Sequence, residues 1–251
     1  MHYVMSDIHG QYEMYKKMLD KIQLKDSDQL YIIGDAVDRG PESIRLLIDI
    51  MSRGNVTFLI GNHEHMMYKA VADNDWNAMS DWMYNGGETT IEQFEQLDKK
   101  TQSQVLEWLA SCPLVIPNIS VNSRNYYLAH ACHTLYDEKE LLLYKDAGEQ
   151  NIEQVVWSRE YRRPNRIFQG YKFKWLYGKN PKTTLIIGHT PVQKCSYGIV
   201  KNTGHGRISR SCSGHLINID CGCAMGRTLG CLRLEDGKEY YVDAVRKERD
   251  R

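Results

Sequence analysis

The sequence predicts an α/β fold in which parallel strands alternate with helices. Three observations carry that expectation. Short apolar runs at His2–Met5, Leu30–Ile33 and Val56–Ile60 each stop abruptly, the last two on Gly34 and Gly61. Between the runs, Tyr12, Tyr15, Met18, Leu19 and Ile22, and then Ile44, Leu47, Ile48 and Met51, recur at helical spacing. Strand, loop and helix repeated in this order is the pattern of βαβ units, and polar residues then fall at strand C-termini, where open α/β sheets place their ligands.

Each element has a local reason. Pro41 suits a first helical turn, because its missing N–H would have no helical partner there. From Ala70 to Pro113 the character changes. Trp76, Met79, Trp82 and Met83, then Ile91, Phe94 and Leu97, predict a helical insertion over about 70–113 that caps one side of the site. Its Trp and Met residues are expected to form its own core and cap packing, and Gly86-Gly87 a turn near the pocket. Strand signals return at Leu114–Ile116, Tyr126–Ala129, Thr184–Ile187, Leu216–Ile219, Leu229–Leu234 and Glu239–Val242. Glu235-Asp236-Gly237-Lys238 has the composition of a hairpin turn, and the charged stretch from Arg246 to Arg251 is expected to fray. The whole, 1–251, is expected to form a single domain.

Bulk properties exclude several classes. The chain has 251 residues, 42% hydrophobic and 25% charged, as in an ordinary globular protein. Its 32 basic and 32 acidic residues leave no basic excess for nucleic acid. No apolar run approaches the roughly 20 residues of a membrane span. Seven irregularly spaced cysteines, with no targeting segment before the first strand, fit reduced thiols in a cytoplasm. No feature of the sequence sets an oligomeric state.

Six segments carry polar residues suited to one chemistry: Ser6-Asp7-Ile8-His9-Gly10, Gly34-Asp35-Ala36-Val37-Asp38-Arg39-Gly40, Gly61-Asn62-His63-Glu64, Leu128-Ala129-His130, Trp157-Ser158-Arg159-Glu160 and Gly188-His189-Thr190. Phosphate esters repel nucleophiles through their own charge. Two divalent cations about 3.5–4 Å apart neutralise that charge, acidify a water and align the attacking and leaving oxygens. They require hard oxygen and imidazole ligands, with one carboxylate able to bridge. Asp7, His9, Asp35, Asn62, His130 and His189 offer that mixture. Asp7 and His9 can close on one ion from the turn after a strand, and Asp35 is placed to bridge.

Taken together, Asp-x-His, Gly-Asp-x-x-Asp-Arg-Gly and Gly-Asn-His-Glu in this order resemble the metallophosphoesterase superfamily. Within it, the chain resembles the phosphoprotein phosphatase family of serine/threonine phosphatases, in its compact bacterial and phage branch. The resemblance implies a four-layer fold, two mixed β-sheets packed face to face and flanked by helices. It implies metal-dependent hydrolysis of phosphomonoesters, phosphoserine and phosphothreonine in proteins first, by direct attack of metal-bound hydroxide. Asp7, His9, Asp35, Asn62, His130 and His189 would hold two divalent ions, Mn²⁺ with Fe or Zn as substitutes. His63 would protonate the leaving oxygen, Asp38 would orient His63, and Arg39 and Arg159 would clamp the phosphate. A symmetrical dinucleoside tetraphosphatase of the same superfamily is the alternative; a binding protein that has lost catalysis is disfavoured because all six ligands and the proton donor are present.

Two departures stand out. Ser6 replaces the usual glycine, and Ala131-Cys132 follows His130, which suggests a thiol close to the metals. Other groups have plainer readings. Glu64 is expected to open the next helix, where a carboxylate complements the helix dipole. His65, His133, His205 and His215 are expected to bind no metal. Cys212, Cys221, Cys223 and Cys231 lack paired Cys-x-x-Cys spacing and read as buried thiols rather than a zinc site. Eight basic residues from Arg159 to Lys182 read as a solvated face or a rim that steers phosphorylated substrates.

Overall fold

The computed structural model of the chain describes residues 1–134, 140–159, 161, 182–195, 206–211 and 213–245. Two mixed sheets form its centre. The first contains β1 (His2–Met5), β2 (Gln29–Ile33), β3 (Val56–Leu59), β10 (Thr228–Arg233) and β11 (Glu239–Asp243), in the order β11-β10-β1-β2-β3. The second contains β4 (Pro113–Val121), β5 (Arg124–Ala129), β6 (Leu142–Leu143), β7 (Thr183–Ile187), β8 (Ser209–Arg210) and β9 (Leu216–Asn218), in the order β6-β4-β5-β7-β9-β8.

Within each sheet three neighbouring strands run parallel: β1, β2 and β3 in one, β5, β7 and β9 in the other. Their residues alternate between two apolar layers, as the two-residue period of a strand requires. Val4, Ile33 and Leu59 from the first sheet meet Leu128, Ile186 and Ile217 from the second in one cluster between the sheets. Tyr3, Met5, Leu30, Ile32, Leu185 and Ile187 face the other way, into the cluster shared with the helices. Both faces are therefore buried, which explains why these strands read as continuous apolar runs rather than alternating ones.

Helix α1 (Tyr12–Ile22) buries Tyr12, Met14, Tyr15, Met18, Leu19 and Ile22 and stops at Gln23, which is left-handed. Helix α2 (Ser43–Ser52) starts two residues beyond Pro41. Its fully buried face is Ile44, Leu46, Leu47 and Ile50, with Ile48 and Met51 only half-buried. The expected face is thus rotated, because docking against β3, α1 and α5 chooses between two overlapping apolar stripes.

Between β3 and β4 lie α3 (Asn62–Val71), α4 (Trp76–Tyr84), α5 (Glu88–Glu95) and α6 (Lys99–Ser111). Asp75 caps α4 by accepting from the N–H groups of Asn77 and Ala78, and Asp98 caps α6 through Thr101. Trp76, Met83 and Tyr84 are exposed rather than core; Trp82 alone of this group is fully buried, and not for packing only. Helix α7 (Glu149–Trp157) supplies Val155 and Val156 to the core. Gly237, at a φ of 73°, turns the β10–β11 hairpin where its composition predicts. No helix among the described residues is long and apolar enough to cross a membrane.

Candidate metal centre and phosphate site

All six predicted ligands sit just past the C-terminal ends of the parallel strands, four from the first sheet and two from the second. Asp7 follows β1, Asp35 follows β2 and Asn62 opens α3 after β3; His130 follows β5 and His189 follows β7. His9 lies two residues beyond Asp7 in the same loop. The first three loops are laced together by their backbones. Asp7 N–H donates to Gly34 (3.1 Å), His9 N–H to Asp35 (3.0 Å) and Gly10 N–H to Ala36 (2.6 Å).

Six site residues hold a positive φ that side chains rarely adopt: Asp7 (52°), His9 (49°), Asp35 (55°), Asp38 (72°), Arg39 (66°) and His189 (66°). Such conformations concentrate where geometry serves function. Gly34 and Gly61 make room for this crowding. A β-carbon on Gly34 would lie 2.6 Å from His130 Nδ1, and one on Gly61 would strike the Asp35 carboxylate.

Two groups of donors converge. His9, Asp35 and His63 form one; Asp35, His130 and His189 form the other, so Asp35 belongs to both. Its Oδ2 lies 3.5 Å from His9 Nε2, and its Oδ1 lies 3.3 Å from His130 Nε2. The Asn62 carbonyl oxygen stands 3.1 Å from His130 Nε2 and 2.8 Å from His189 Nδ1. The Asp7 carboxylate accepts from the His189 N–H at 3.1 Å and from the Ser6 hydroxyl. Ser6, the departure from glycine, therefore orients Asp7.

These residues fit a pair of cations on three counts. Asp7, Asp35, Asp38, Glu64 and Asp220 are all at most 2% exposed, an excess of buried acid that needs compensating charge. Burial, then the neighbouring Asp220, hold Asp7 well above the usual carboxylate range. Burial works against a charge on His130, yet the Asp35 carboxylate pushes that imidazole up to about 10. Its Nε2 faces the Asp35 and Asn62 oxygens, at 3.3 and 3.1 Å, groups that suit a bound cation. Finally, His189 Nε2 is buried without a hydrogen-bond partner, and burial followed by His130 keeps that ring neutral, as a metal ligand must be.

Arg39, His63 and Asp38, the expected clamp and proton-donor pair, are bonded to one another beside these donor groups. Arg39 is exposed and lays its fork across two imidazoles, Nη1 donating to His9 Nε2 (3.1 Å) and Nη2 to His63 Nε2 (2.8 Å). A guanidinium has no acceptor, so both ring protons lie on Nδ1. His9 Nδ1–H then donates to the Val37 carbonyl at 2.9 Å, and His63 Nδ1–H to Asp38 Oδ2 at 2.5 Å. Arg159 is exposed, lines a small cavity with Gly188 and Thr190, and helps hold His189 neutral through its charge.

Four residues have contacts at the site that the sequence did not reveal. Trp82 reaches in from α4 and donates its indole N–H to both oxygens of Asp38 at 2.9 Å. Asp220 follows β9 just as the candidate ligands follow their strands, a rule that could have found it. Asn218 donates to the Thr190 carbonyl at 2.8 Å and ties down the His189 loop. Glu64 does open α3, but its carboxylate also accepts from the N–H groups of Gly61, Asp35, Ala36 and Val37, at 2.8 to 3.1 Å, and so ties two loops together.

Other expectations need correction or fall elsewhere. Cys132 is buried, and its sulfur meets Gln154 (3.2 Å) and His133 (3.3 Å). His65 bonds to Tyr144 (2.7 Å) and His133 to Tyr161 (2.9 Å); among the described residues no cysteine, and neither of these histidines, joins a donor group. Burial raises the Cys221, Cys223 and Cys231 thiols. His205, Cys212, most of the basic run from Arg159 to Lys182 and the C-terminal Arg246–Arg251 stretch lie outside the described residues.

Buried carboxylate, amide and imidazole groups gathered at the strand ends of two sheets are the mixture a metal-dependent phosphoesterase needs. The calcineurin-like phosphoesterase profile matches residues 3–215, and the chain belongs to that family. Its relatives divide. The bis(5'-nucleosyl)-tetraphosphatase PrpE [asymmetrical] of Bacillus subtilis is 26% identical over 93% of this chain and 90% of its own. Serine/threonine-protein phosphatase 2 of Escherichia coli is 29% identical over 60% of this chain and 65% of its own. Among solved structures, a metallophosphoesterase from Sphaerobacter thermophilus matches with a TM-score of 0.57 and 14% identity, over 98% of this chain and 89% of that one, which speaks for the fold alone.

Proposed function

We propose that the protein hydrolyses phosphomonoesters, with phosphoserine and phosphothreonine in proteins as its substrates. Asp7, His9, Asp35, Asn62, His130 and His189 hold two divalent cations, Mn²⁺ the favoured activator, which when bound neutralise the phosphate and acidify the attacking water. The chain's own side chains do the rest. Arg39 transfers its fork from the two imidazoles to the phosphate oxygens, for which its paired donors are suited. Arg159 is the second clamp. His63, once released from Arg39, carries a proton on Nε2 and delivers it to the leaving oxygen, while Asp38 holds its Nδ1–H.

The observation that carries this reading is the buried His63–Asp38 pair. A serine or threonine alkoxide is a strongly basic leaving group that gains most from a positioned acid, whereas a phosphate leaving from a polyphosphate gains less. His63→Asn is expected to cut turnover of a phosphoserine peptide by about 10²–10⁴-fold, and that of p-nitrophenyl phosphate far less. Near-native peptide turnover by His63→Asn would end the assignment.

A second reading, dinucleoside tetraphosphatase, is favoured by one observation: the Bacillus tetraphosphatase aligns over nearly the whole of both chains, the Escherichia phosphatase over 60% of this one. Comparing kcat/KM for diadenosine tetraphosphate with that for a phosphothreonine peptide separates the two, and a higher value for the nucleotide selects the second.

A further inference from the structure

We infer that Trp82 is a positioning residue for the proton donor, so that the helical segment between β3 and β4 belongs to the catalytic apparatus rather than standing beside it. This rests on the reading of His63 as the acid.

The Asp38 carboxylate is fully buried, so its lone pairs must be met by protein. His63 Nδ1–H takes Oδ2, and the indole N–H of Trp82 is shared between both oxygens at 2.9 Å. That sharing fixes the rotation of the carboxylate, and with it the plane of the His63 ring. An indole N–H is a donor only and does not titrate. It therefore cannot take the proton that His63 must pass to the leaving oxygen, and it cannot swing round to compete as an acceptor. A hydroxyl in its place could do either.

The same segment holds the backbone on both sides of this contact. Asp38 N–H donates to the Thr90 hydroxyl at 3.0 Å, and Arg39 N–H donates to the Gly86 carbonyl at 3.0 Å. Asp38 and Arg39 both carry left-handed φ values, which such external tethers stabilise. Gly87 is packed so closely on the indole that a β-carbon there would lie 2.5 Å from Trp82 Cδ1. The Gly86-Gly87 turn thus seats the indole and caps the Arg39 backbone at once, and a merely apolar cap would need none of these polar contacts.

The test is Trp82→Phe, which keeps an aromatic ring and removes the donor. Turnover of a phosphoserine peptide is expected to fall about tenfold to a hundredfold, the size of a lost hydrogen bond to a charged group, with KM unchanged. Turnover of p-nitrophenyl phosphate, whose leaving group needs little protonation, is expected to change less than about twofold. Equal losses on both esters, or none on either, overturn the inference. If Trp82→Phe does not fold, replacing Trp82 with benzothienylalanine exchanges the N–H for sulfur in a ring of the same shape, with the same expectations. His63→Asn run in parallel separates the two ideas. If it keeps peptide turnover, the acid assignment fails; if it loses turnover with the same leaving-group dependence while the Trp82 variants do not, only the role of Trp82 fails.

Discussion

The two sheets supply the site by different means. The first brings Asp7, Asp35 and Asn62 from β1, β2 and β3 through loops that are short, consecutive in sequence and bonded to one another, with Glu64 gathering four N–H groups at their centre. The second brings His130, His189 and Asp220 from β5, β7 and β9, separated by long connections. Its loops are tied by scattered contacts, Gly188 N–H to the His130 carbonyl at 2.7 Å, Asn218 to Thr190 and the Val192 N–H to the Asp220 carbonyl at 3.0 Å, with no shared carboxylate at their centre. One half is a cooperative cradle; the other is a pair of imidazoles placed by strand register. Damage to the cradle should therefore spread to several ligands, whereas damage to the second half should stay local.

The largest effect should come from Asp35→Asn. Asp35 sits in both donor groups, so its loss should abolish metal-dependent turnover and lower the metal content of purified protein below that of His189→Asn, as read by elemental analysis. Retention of two metals per chain by Asp35→Asn would refute the bridging position. Next, Glu64→Gln places an amide N–H against backbone N–H donors. It should weaken metal binding about 10–100-fold, as loss of groups that orient ligands does. Asn218→Ala should fall at the low end of that range, and an equal or larger loss would erase the contrast between the halves. Competition with a chelating dye measures both.

The smallest effect is on stability. Burial, then Lys69, depress His65 to about 4, against 6.5 when unfolded. The unfolded chain binds the extra proton between these values, so the contribution is present above pH 6.5 and is lost as pH falls toward 4, amounting to about 3 kcal/mol at most. His65→Gln should therefore show a flatter decline in urea-unfolding free energy from pH 6.5 to 4. A parallel decline would mean that His65 is solvated in the folded state.

What could be read in advance follows the same division. Asp7, Asp35 and Asn62 were legible because each closes an apolar strand in a local βαβ pattern. His130 and His189 were legible only as members of an ordered set. Asp220 obeys the same strand-end rule, yet no motif draws the eye to it. Trp82 was taken for packing because the direction of an indole N–H is decided by how α4 docks, not by helical spacing. The buried stripe of α2 was misplaced by one step for the same reason: Ile44 and Leu47 belong to two overlapping faces, and only tertiary contact selects Leu46 and Ile50 over Ile48 and Met51.

The left-handed backbone at Asp7, His9, Asp35, Asp38, Arg39 and His189 has a consequence for directed evolution. Each such residue is held uphill by about 1–3 kcal/mol, and glycine would relax it at once. Selection for heat resistance without a turnover screen should thus enrich glycine at these positions and yield tougher but inert proteins. Lineages kept under catalytic selection should have to find their thermal gains elsewhere, chiefly on the exposed faces of α4 and α6.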